Sequence, residues 1–253
     1  MDRKKLLGIT VLVAFPMAIQ AAEPLKASGV VEPFRRVKIG ARATGVIESV
    51  PDTVKEGAVV KEGDVLAKMD DYYNQCEVDR QTELEKYYRI QAERMRTLVN
   101  DKAESQSKLD EALAYAGSVS ATLKREKKTL ANMTLLVPKP GGIITRQFKQ
   151  IGESAQERED MFEIINVDTV YFFAYFKEKD YGRVKIGQPA IATLDVNKNE
   201  KFEGKVYFVD SEVEAGSGQF RVRVELQNLD HRITAGLKGT ITIVEGENAA
   251  AAR

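Results

Sequence analysis

From Tyr72 to Asn132 the chain has no proline and a single glycine, Gly117, and is dominated by Glu, Lys, Arg, Gln, Ala and Leu. A stretch of this kind, roughly 60 residues long, reads as long helix, because those residue types lose little on entering one. Leu84, Tyr88, Gln91, Met95 and Leu98 recur at intervals of four, three, four and three, and Leu109, Ala112, Ala116, Val119, Leu123 and Leu130 keep a compatible rhythm. A narrow apolar seam of this spacing is the coiled-coil pattern. Between the two stripes Asn100-Asp101-Lys102 is turn-prone, and Ser105 or Ser107 is placed to cap a second helix, Ser107 with Asp110 three residues on. Residues 72–132 therefore read as an antiparallel α-hairpin. Arms of about 28 residues at a 1.5 Å rise reach about 42 Å, too far for a compact core. Neither arm has the wide apolar stripe that docking on a sheet requires, so the hairpin projects into solvent or into a partner.

The flanking segments have strand texture. Residues 27–69 are rich in Val, Ile and Gly, with turn signals at Pro51-Asp52, Lys55-Glu56-Gly57 and Lys61-Glu62-Gly63. From Thr134 the β texture returns, with β-branched and aromatic runs at Thr169–Phe176, Phe202–Val209 and Phe220–Leu226. In the last run Phe220, Val222, Val224 and Leu226 alternate with Arg221, Arg223 and Glu225, giving one buried and one wet face. The segments on either side of the hairpin also resemble each other. Gly45-Val46-Ile47 leads to Glu56-Gly57 and the strand Val65–Met69; Gly142-Ile143-Ile144 leads to Gly152-Glu153 and the strand Met161–Ile165. Such a repeat predicts one small quasi-symmetric domain interrupted by the helices, with Gly45, Gly57, Gly63, Gly142 and Gly152 as its turn glycines.

Composition narrows the chemistry. Lys and Arg number 38 against 38 Asp and Glu, and the chain holds one His and one Cys. Electroneutrality argues against a nucleic-acid partner, and His231 and Cys76 are too few for a zinc site, a Cys-His pair or a Ser-His-Asp triad. No catalytic residue, metal site or cofactor is expected. Met1-Asp2-Arg3-Lys4-Lys5, an apolar run to Ile19 and the small Ala21-Ala22 read as a secretory signal over residues 1–22. Without it the chain carries 35 basic and 37 acidic residues, and a lone Cys in an oxidising compartment has no internal partner. Cys76 is accordingly expected to be a small packing residue.

Gly45-x-Ile47, Val54-Lys55-Glu56-Gly57 and Val60-Lys61-x-Gly63-Asp64-Val65-Leu66-Ala67 resemble the first half of a biotinyl/lipoyl carrier fold, and Val137-Pro138, Gly141-Gly142-Ile143-Ile144 and Gly152–Ile164 its second half. The helices stand where carriers keep the hairpin of the modified lysine. Lys68 lies inside a strand pattern and reads as a surface lysine. With a signal segment in front and a barrel-like end at Phe220–Asn228 and Ile233–Gly239, the chain resembles the periplasmic adaptor subunits, or membrane fusion proteins of the HlyD/RND type, of tripartite efflux pumps. Arg94, Leu98 and Ser105 reproduce the Arg-x3-Leu-x6-Ser spacing of such adaptors, with Asp110 following.

The resemblance implies a mainly β chain with a long coiled-coil hairpin (72–132). A split lipoyl-like domain (40–71 and 133–165) and a β-barrel domain (27–39 and 166–245) complete it, followed by a tail (246–253). The membrane-proximal domain of many relatives is expected to be absent or reduced. Implied partners are an inner-membrane transporter, with the resistance-nodulation-division (RND) class favoured, a trimeric outer-membrane channel of the TolC type meeting the hairpin tip, and further copies of the chain in a hexameric ring. Arg221 and Arg223 are candidate contacts for a transporter or a neighbouring copy. The implied location is the periplasm, beside the inner membrane. Alternatives are an adaptor of an ABC-type exporter, of type I secretion or macrolide type, and a biotin or lipoate carrier, which would bear a covalent group on Lys68.

Overall fold

A computed structural model of the protein describes residues 25–244. The expected signal segment and the tail lie outside the described residues. Two hydrophobic cores and a helix pair account for the fold, and two long strands join the cores.

The first core is a closed barrel of six antiparallel strands. In spatial order these are β1 (Leu25–Gly40), β12 (Lys238–Ile243), β9 (Pro189–Leu194), β10 (Asn197–Val209), β11 (Gln219–Gln227) and β8 (Asp160–Lys177), and β8 pairs back on β1. The period-2 pattern explains the filling: Phe220, Val222, Val224 and Leu226 of β11 point inward beside Val170, Phe172, Ala174 and Phe176 of β8. Closure leaves no unpaired strand edge to template association.

The second core lies between two four-stranded layers. One has the order β5 (Thr134–Leu136), β4 (Val65–Met69), β2 (Gly45–Ser49), β7 (Ser154–Ala155); the other continues from the ends of β1 and β8 through β6 (Gly141–Gln147) to β3 (Val59–Lys61). Ile47, Leu66, Met69, Leu135, Ile144, Met161 and Phe162 fill the space between them. Each half lends a short strand to the other's sheet, since β2 pairs with β7 and β3 with β6. The repeat extends to individual hydrogen bonds. The Gly57 N–H donates to the Ile144 carbonyl at 2.8 Å, and the Gly152 N–H to the Ile47 carbonyl at 2.9 Å. Within the first half only β2 and β4 pair with each other, and a two-stranded unit is marginal alone, so the exchange makes the two halves one folding unit although the helices separate them in sequence.

β1 and β8 carry the chain from one core to the other. Gly29–Pro33 lie opposite Ala174–Val170 in the barrel; after an irregularity at Phe34 the ladder resumes with Arg35–Gly40 opposite Asn166–Asp160. The expected boundaries are corrected here. Ile39 belongs to the two-sheet core rather than to the barrel, while Leu25 lies in the barrel core. The division falls inside continuous strands, because one hydrogen-bonded ribbon serves both cores.

Between β4 and β5 stand α1 (Tyr72–Asn100) and α2 (Gln106–Asn132). They pack on one another in antiparallel sense: Tyr88 stacks on Tyr115 with centroids 6.1 Å apart, and Glu77 near the start of α1 feels the charge of Arg125 near the end of α2. The pair is rooted in the two-sheet core, where the Met69 N–H donates to the Met133 carbonyl at 2.9 Å. In α2 the seam runs through Leu109, Ala112, Ala116, Val119, Leu123 and Leu130. In α1 it runs through Val78, Gln81, Tyr88, Ala92, Met95 and Val99. Two expected seam residues of α1 are thereby corrected. Ala92 and Val99 take the places expected for Gln91 and Leu98, and Leu98 is 41% exposed. Ala92 is 5% exposed in the helix contact, whereas Gln91 one position earlier is half-buried at its edge. Cys76 is exposed, not packed, because it lies opposite the seam.

Candidate functional site

The turn joining the helices places the residues of the expected tip. Helix α1 closes with two backbone bonds, from Ala103 N–H to the Leu98 carbonyl at 2.8 Å and from Lys102 N–H to the Val99 carbonyl at 3.0 Å. That is the Schellman closure, with Lys102 at φ 58° in the left-handed position usually given to glycine. The carbonyl of Leu98 is thus used by the turn, and its side chain projects outward. Ser105 is the N-cap residue of α2, in extended backbone, but its side chain makes no capping bond. The expected Ser107–Asp110 capping box is absent, because the helix already starts at Gln106; Asp110 accepts instead from the Gln106 amide at 2.8 Å. Glu104 is held below the usual carboxylate range by a hydrogen bond from Lys108, 2.7 Å away. Arg94 and Asp110 are exposed, and among the described residues Arg94 has no ion-pair or hydrogen-bond partner. Arg94, Leu98, Ser105 and Asp110 therefore occupy the distal end of the helix pair with polar and apolar groups presented outward.

The glycines divide by role. Gly57, Gly63 and Gly152 occupy turns at φ 84–86°. Gly45 and Gly142 are in strands, which corrects their expected role as turn residues. A Cβ on Gly45 would merely touch Met69, whereas one on Gly142 would overlap the carbonyl oxygen of Ile165 on the adjacent strand. Lys68 lies in β4 and bonds Asp71 at 3.2 Å and Glu48 at 3.3 Å, which raises its ammonium pKa above the usual lysine value.

On the barrel exterior Arg221 and Arg223 are half-buried rather than freely solvated. The Arg223 guanidinium lies 4.4 Å from the Phe208 ring centroid and 5.6 Å from that of Phe173. Arg221 pairs with Asp210 at 3.3 Å. Phe34, Tyr171 and Tyr207 continue the aromatic surface, with centroid separations of 5.8 and 5.3 Å. The outward residues of β8, Tyr171, Phe173 and Tyr175, are aromatic although its inward residues already fill the core. That departure from apolar-in, polar-out alternation was the sequence signal for this patch. Beside it, a groove of about 920 Å³ opens over β9 and β10, lined in part by Ile186, Pro189, Ile191, Lys205 and Tyr207.

Among the described residues no group of three or more His, Cys, Asp and Glu is arranged to hold a metal, and no helix is long and apolar enough to cross a membrane.

Residues 169–247 match the family model described as CusB-like, beta-barrel domain. The fold is similar to that of a MacA-MexA chimeric protein containing the Pseudomonas aeruginosa MexA alpha-hairpin domain. The TM-score is 0.78 at 20% identity, over 88% of this chain and 79% of that one. It is also similar to the membrane fusion protein Spr0693 from Streptococcus pneumoniae R6, with a TM-score of 0.69 at 17% identity over 88% and 99% of the two chains. Its fold is that of the membrane fusion proteins. Multidrug resistance protein MdtN of Shigella flexneri is 30% identical over 104 residues, 41% of this chain and 30% of MdtN. A protein of Haemophilus influenzae is 23% identical over 225 residues, 87% of this chain and 57% of that protein, so the chain spans 30 to 57% of the length of these two curated relatives. In this fold the distal turn and the barrel exterior stand at separate places.

Proposed function

We propose that the chain is a non-catalytic periplasmic adaptor linking an inner-membrane transporter to a TolC-type outer-membrane channel in a tripartite efflux pump. The observation that carries the reading is the joining of a CusB-like barrel to a long antiparallel helix pair whose distal turn presents Arg94, Leu98 and Ser105. The helices act as a projecting coiled-coil hairpin. Arg94 donates hydrogen bonds to carbonyls or carboxylates of the channel, Leu98 supplies apolar contact, and Ser105 sits where the second helix begins. Copies assemble side by side, six to a ring, so that modest contacts are multiplied by symmetry. The barrel exterior around Arg221 and Arg223 faces the transporter or a neighbouring copy, and the matched CusB-like barrel family, which carries RND in its name, favours that transporter class over an ABC exporter. A carrier role for Lys68 is disfavoured by its place in a strand and its two carboxylate partners.

The test is an Arg94→Asp variant in cells that depend on the pump, paired with crosslinking from Asp101→Cys in a Cys76→Ser background. The expected outcome is loss of drug tolerance with normal protein level and folding, and capture of an outer-membrane channel from position 101. Full tolerance in the variant, or no channel among the captured proteins, overturns the assignment of the tip.

A further inference from the structure

The end of the barrel away from the two-sheet core is closed by the segment that joins β8 to β9. β8 ends at Lys177, a single 3-10 turn follows at Glu178–Asp180, and β9 begins at Pro189. Val184 plugs the opening, 4% exposed among the barrel core residues, and Tyr181 packs edge-on against the Phe220 ring with centroids 5.2 Å apart. The other side of the segment has no packing task. It presents Ile186 at 68% exposure and Tyr181 at 47%, with Lys179 and Lys185 exposed beside them.

Basic groups gather on one side of this end. Lys26 of β1 and Lys177 of β8 are the strand neighbours of the inward Ala27 and Phe176, so both point outward. With Lys179 they border a recess of about 520 Å³. Asp180 also lines the recess, but its carboxylate is taken by Arg183 at 3.0 Å. Among the described residues Lys26, Lys177, Lys179 and Lys185 are in no ion pair. Glu178 is set among them, and Glu212 and Glu214, in the loop between β10 and β11, form the acidic side of the same end. Unpaired ammoniums around a polar recess recognise an anion. A soluble anion would leave Ile186 and Tyr181 in water, whereas an anionic bilayer surface uses both kinds of group, ammoniums among the headgroup phosphates and apolar groups at the edge of the acyl chains. Lysine stems suit this, since they cover apolar surface while the charge stays in the headgroup layer.

The sequence before β1 points the same way. The apolar run to Ile19 ends six residues before Leu25, and six residues reach at most about 20 Å. Leu25 and Lys26 stand at this end of the barrel, so the end is held near a membrane whenever the run is inserted in one. We infer that the closed end of the barrel docks on a bilayer surface containing anionic phospholipid. Headgroup phosphates enter the recess among Lys26, Lys177 and Lys179, and Tyr181 and Ile186 rest at the boundary with the acyl chains. The two-sheet core and the roots of the helices then lie on the side away from the bilayer. The inference rests on the location beside the inner membrane proposed above and adds a direct lipid contact to it.

The test uses the chain from residue 23 onward, which lacks the apolar run and keeps every strand of both cores. Vesicles of phosphatidylethanolamine with phosphatidylglycerol are compared with vesicles of phosphatidylcholine. Co-sedimentation is expected with the anionic vesicles only, weakening with salt. Lys26→Gln/Lys177→Gln/Lys179→Gln should lower the partition about a hundredfold, at about fivefold per lysine. Lys124→Gln/Lys127→Gln/Lys128→Gln, which removes a basic cluster of α2, should leave it unchanged. Equal losses in the two variants, or binding that survives the first, overturn the site. The chain has no Trp, so Ile186→Trp places a reporter at the closed end and Val196→Trp a control in the turn at the opposite end of the barrel. Emission of the first alone should shift to the blue on anionic vesicles and be quenched by brominated acyl chains; an unshifted Ile186→Trp overturns the docking. Displacement of the vesicles by soluble glycerophosphate at equal phosphate concentration makes a free phosphate the ligand and overturns the bilayer. Channel capture from position 101 keeps the two levels apart. Capture without vesicle binding sinks this contact and leaves the adaptor, while vesicle binding without capture sinks the adaptor reading and leaves the contact.

Discussion

Gly63 and Arg158 occupy equivalent turns of the two half-domains. The Gly63 N–H donates to the Val137 carbonyl at 3.0 Å and the Arg158 N–H to the Ala41 carbonyl at 2.8 Å, with φ of 84° and 71°. One residue on, Asp64 accepts from the Lys61 N–H and Glu159 from the Gln156 N–H, at 2.7 and 2.9 Å. An L-residue in this conformation costs about 1–2 kcal/mol, and the exposed Arg158 side chain has only a 3.9 Å contact with Glu157 to lose. Arg158→Gly should therefore stabilise the protein by about 0.5–1 kcal/mol, the gain being reduced by the greater freedom of glycine in the unfolded chain. Gly63→Ala should destabilise it by a similar amount. Urea unfolding midpoints of the two variants check the opposite signs.

Asn228 holds the end of β11 to the ribbon joining the cores. It is 1% exposed; its amide donates to the Val167 and Ile233 carbonyls at 2.8 and 2.9 Å, and its carbonyl accepts from the Ile233 N–H at 2.8 Å. Asn228→Ala should cost about 2–4 kcal/mol, because three buried backbone groups lose their partner. Asn228→Asp should cost at least as much despite equal size, since a carboxylate oxygen would face two carbonyls. Thermal unfolding of both variants would expose the account as wrong if Asp were tolerated.

Glu163, 5% exposed, accepts from Arg36 at 2.7 Å and from the Thr145 hydroxyl at 3.2 Å. Burial pushes its carboxyl pKa up, but the bond from Arg36, the Thr145 hydroxyl and the charges of Arg36 and Arg146 outweigh burial and bring it below the usual range. A carboxyl whose pKa is lowered on folding stabilises the fold above its unfolded pKa and loses that contribution as pH falls through the folded value. Glu163→Gln should cost about 1–3 kcal/mol at neutral pH, with the difference from the parent shrinking below about pH 4. Unfolding curves at pH 7 and pH 3 measure both quantities.

The Glu77 carboxyl on α1 is pushed down to about 2, held first by the Arg80 guanidinium and then by Gln81. The helix pair should keep this interaction at every pH above the ordinary carboxylate range and lose it as pH falls toward 2. In Arg80→Gln the Glu77 carboxyl should titrate nearer 4.5. Carboxyl chemical shifts followed by NMR distinguish the two values, and an unchanged titration in the variant would remove Arg80 as the cause.

The helical stretch, the repeat and the inward positions of β11 were all visible as patterns of residue type. Leu109, Ala112, Ala116, Val119, Leu123 and Leu130 mark the α2 seam because few other apolar residues compete there. Along α1 the phase was ambiguous. Gln91 and Ala92, or Leu98 and Val99, fit the same three-four spacing, and the choice between them belongs to the packing of the facing helix. The apolar count at Leu98 therefore misled, and Cys76, a small residue of the buried kind, proved to lie on the outward side. The aromatic bed beneath Arg223 was obscured for a related reason. Phe173 and Phe208 stand on different strands, and only the pairing of β8, β11 and β10 brings them to either side of the guanidinium.

Residue order alone determined that a long Pro-free helical insert interrupts two similar β segments, and that the last strands alternate inward and outward, because helix and strand periodicities are local properties of the chain. Tertiary structure decided what depends on distant partners: that β1 and β8 belong to two cores at once, that each half-domain completes the other's sheet, and which flank of each helix is left uncovered. Those outcomes are set by side-chain volume and hydrogen-bond register across contacts far apart in sequence, quantities that a periodic pattern along one segment does not contain.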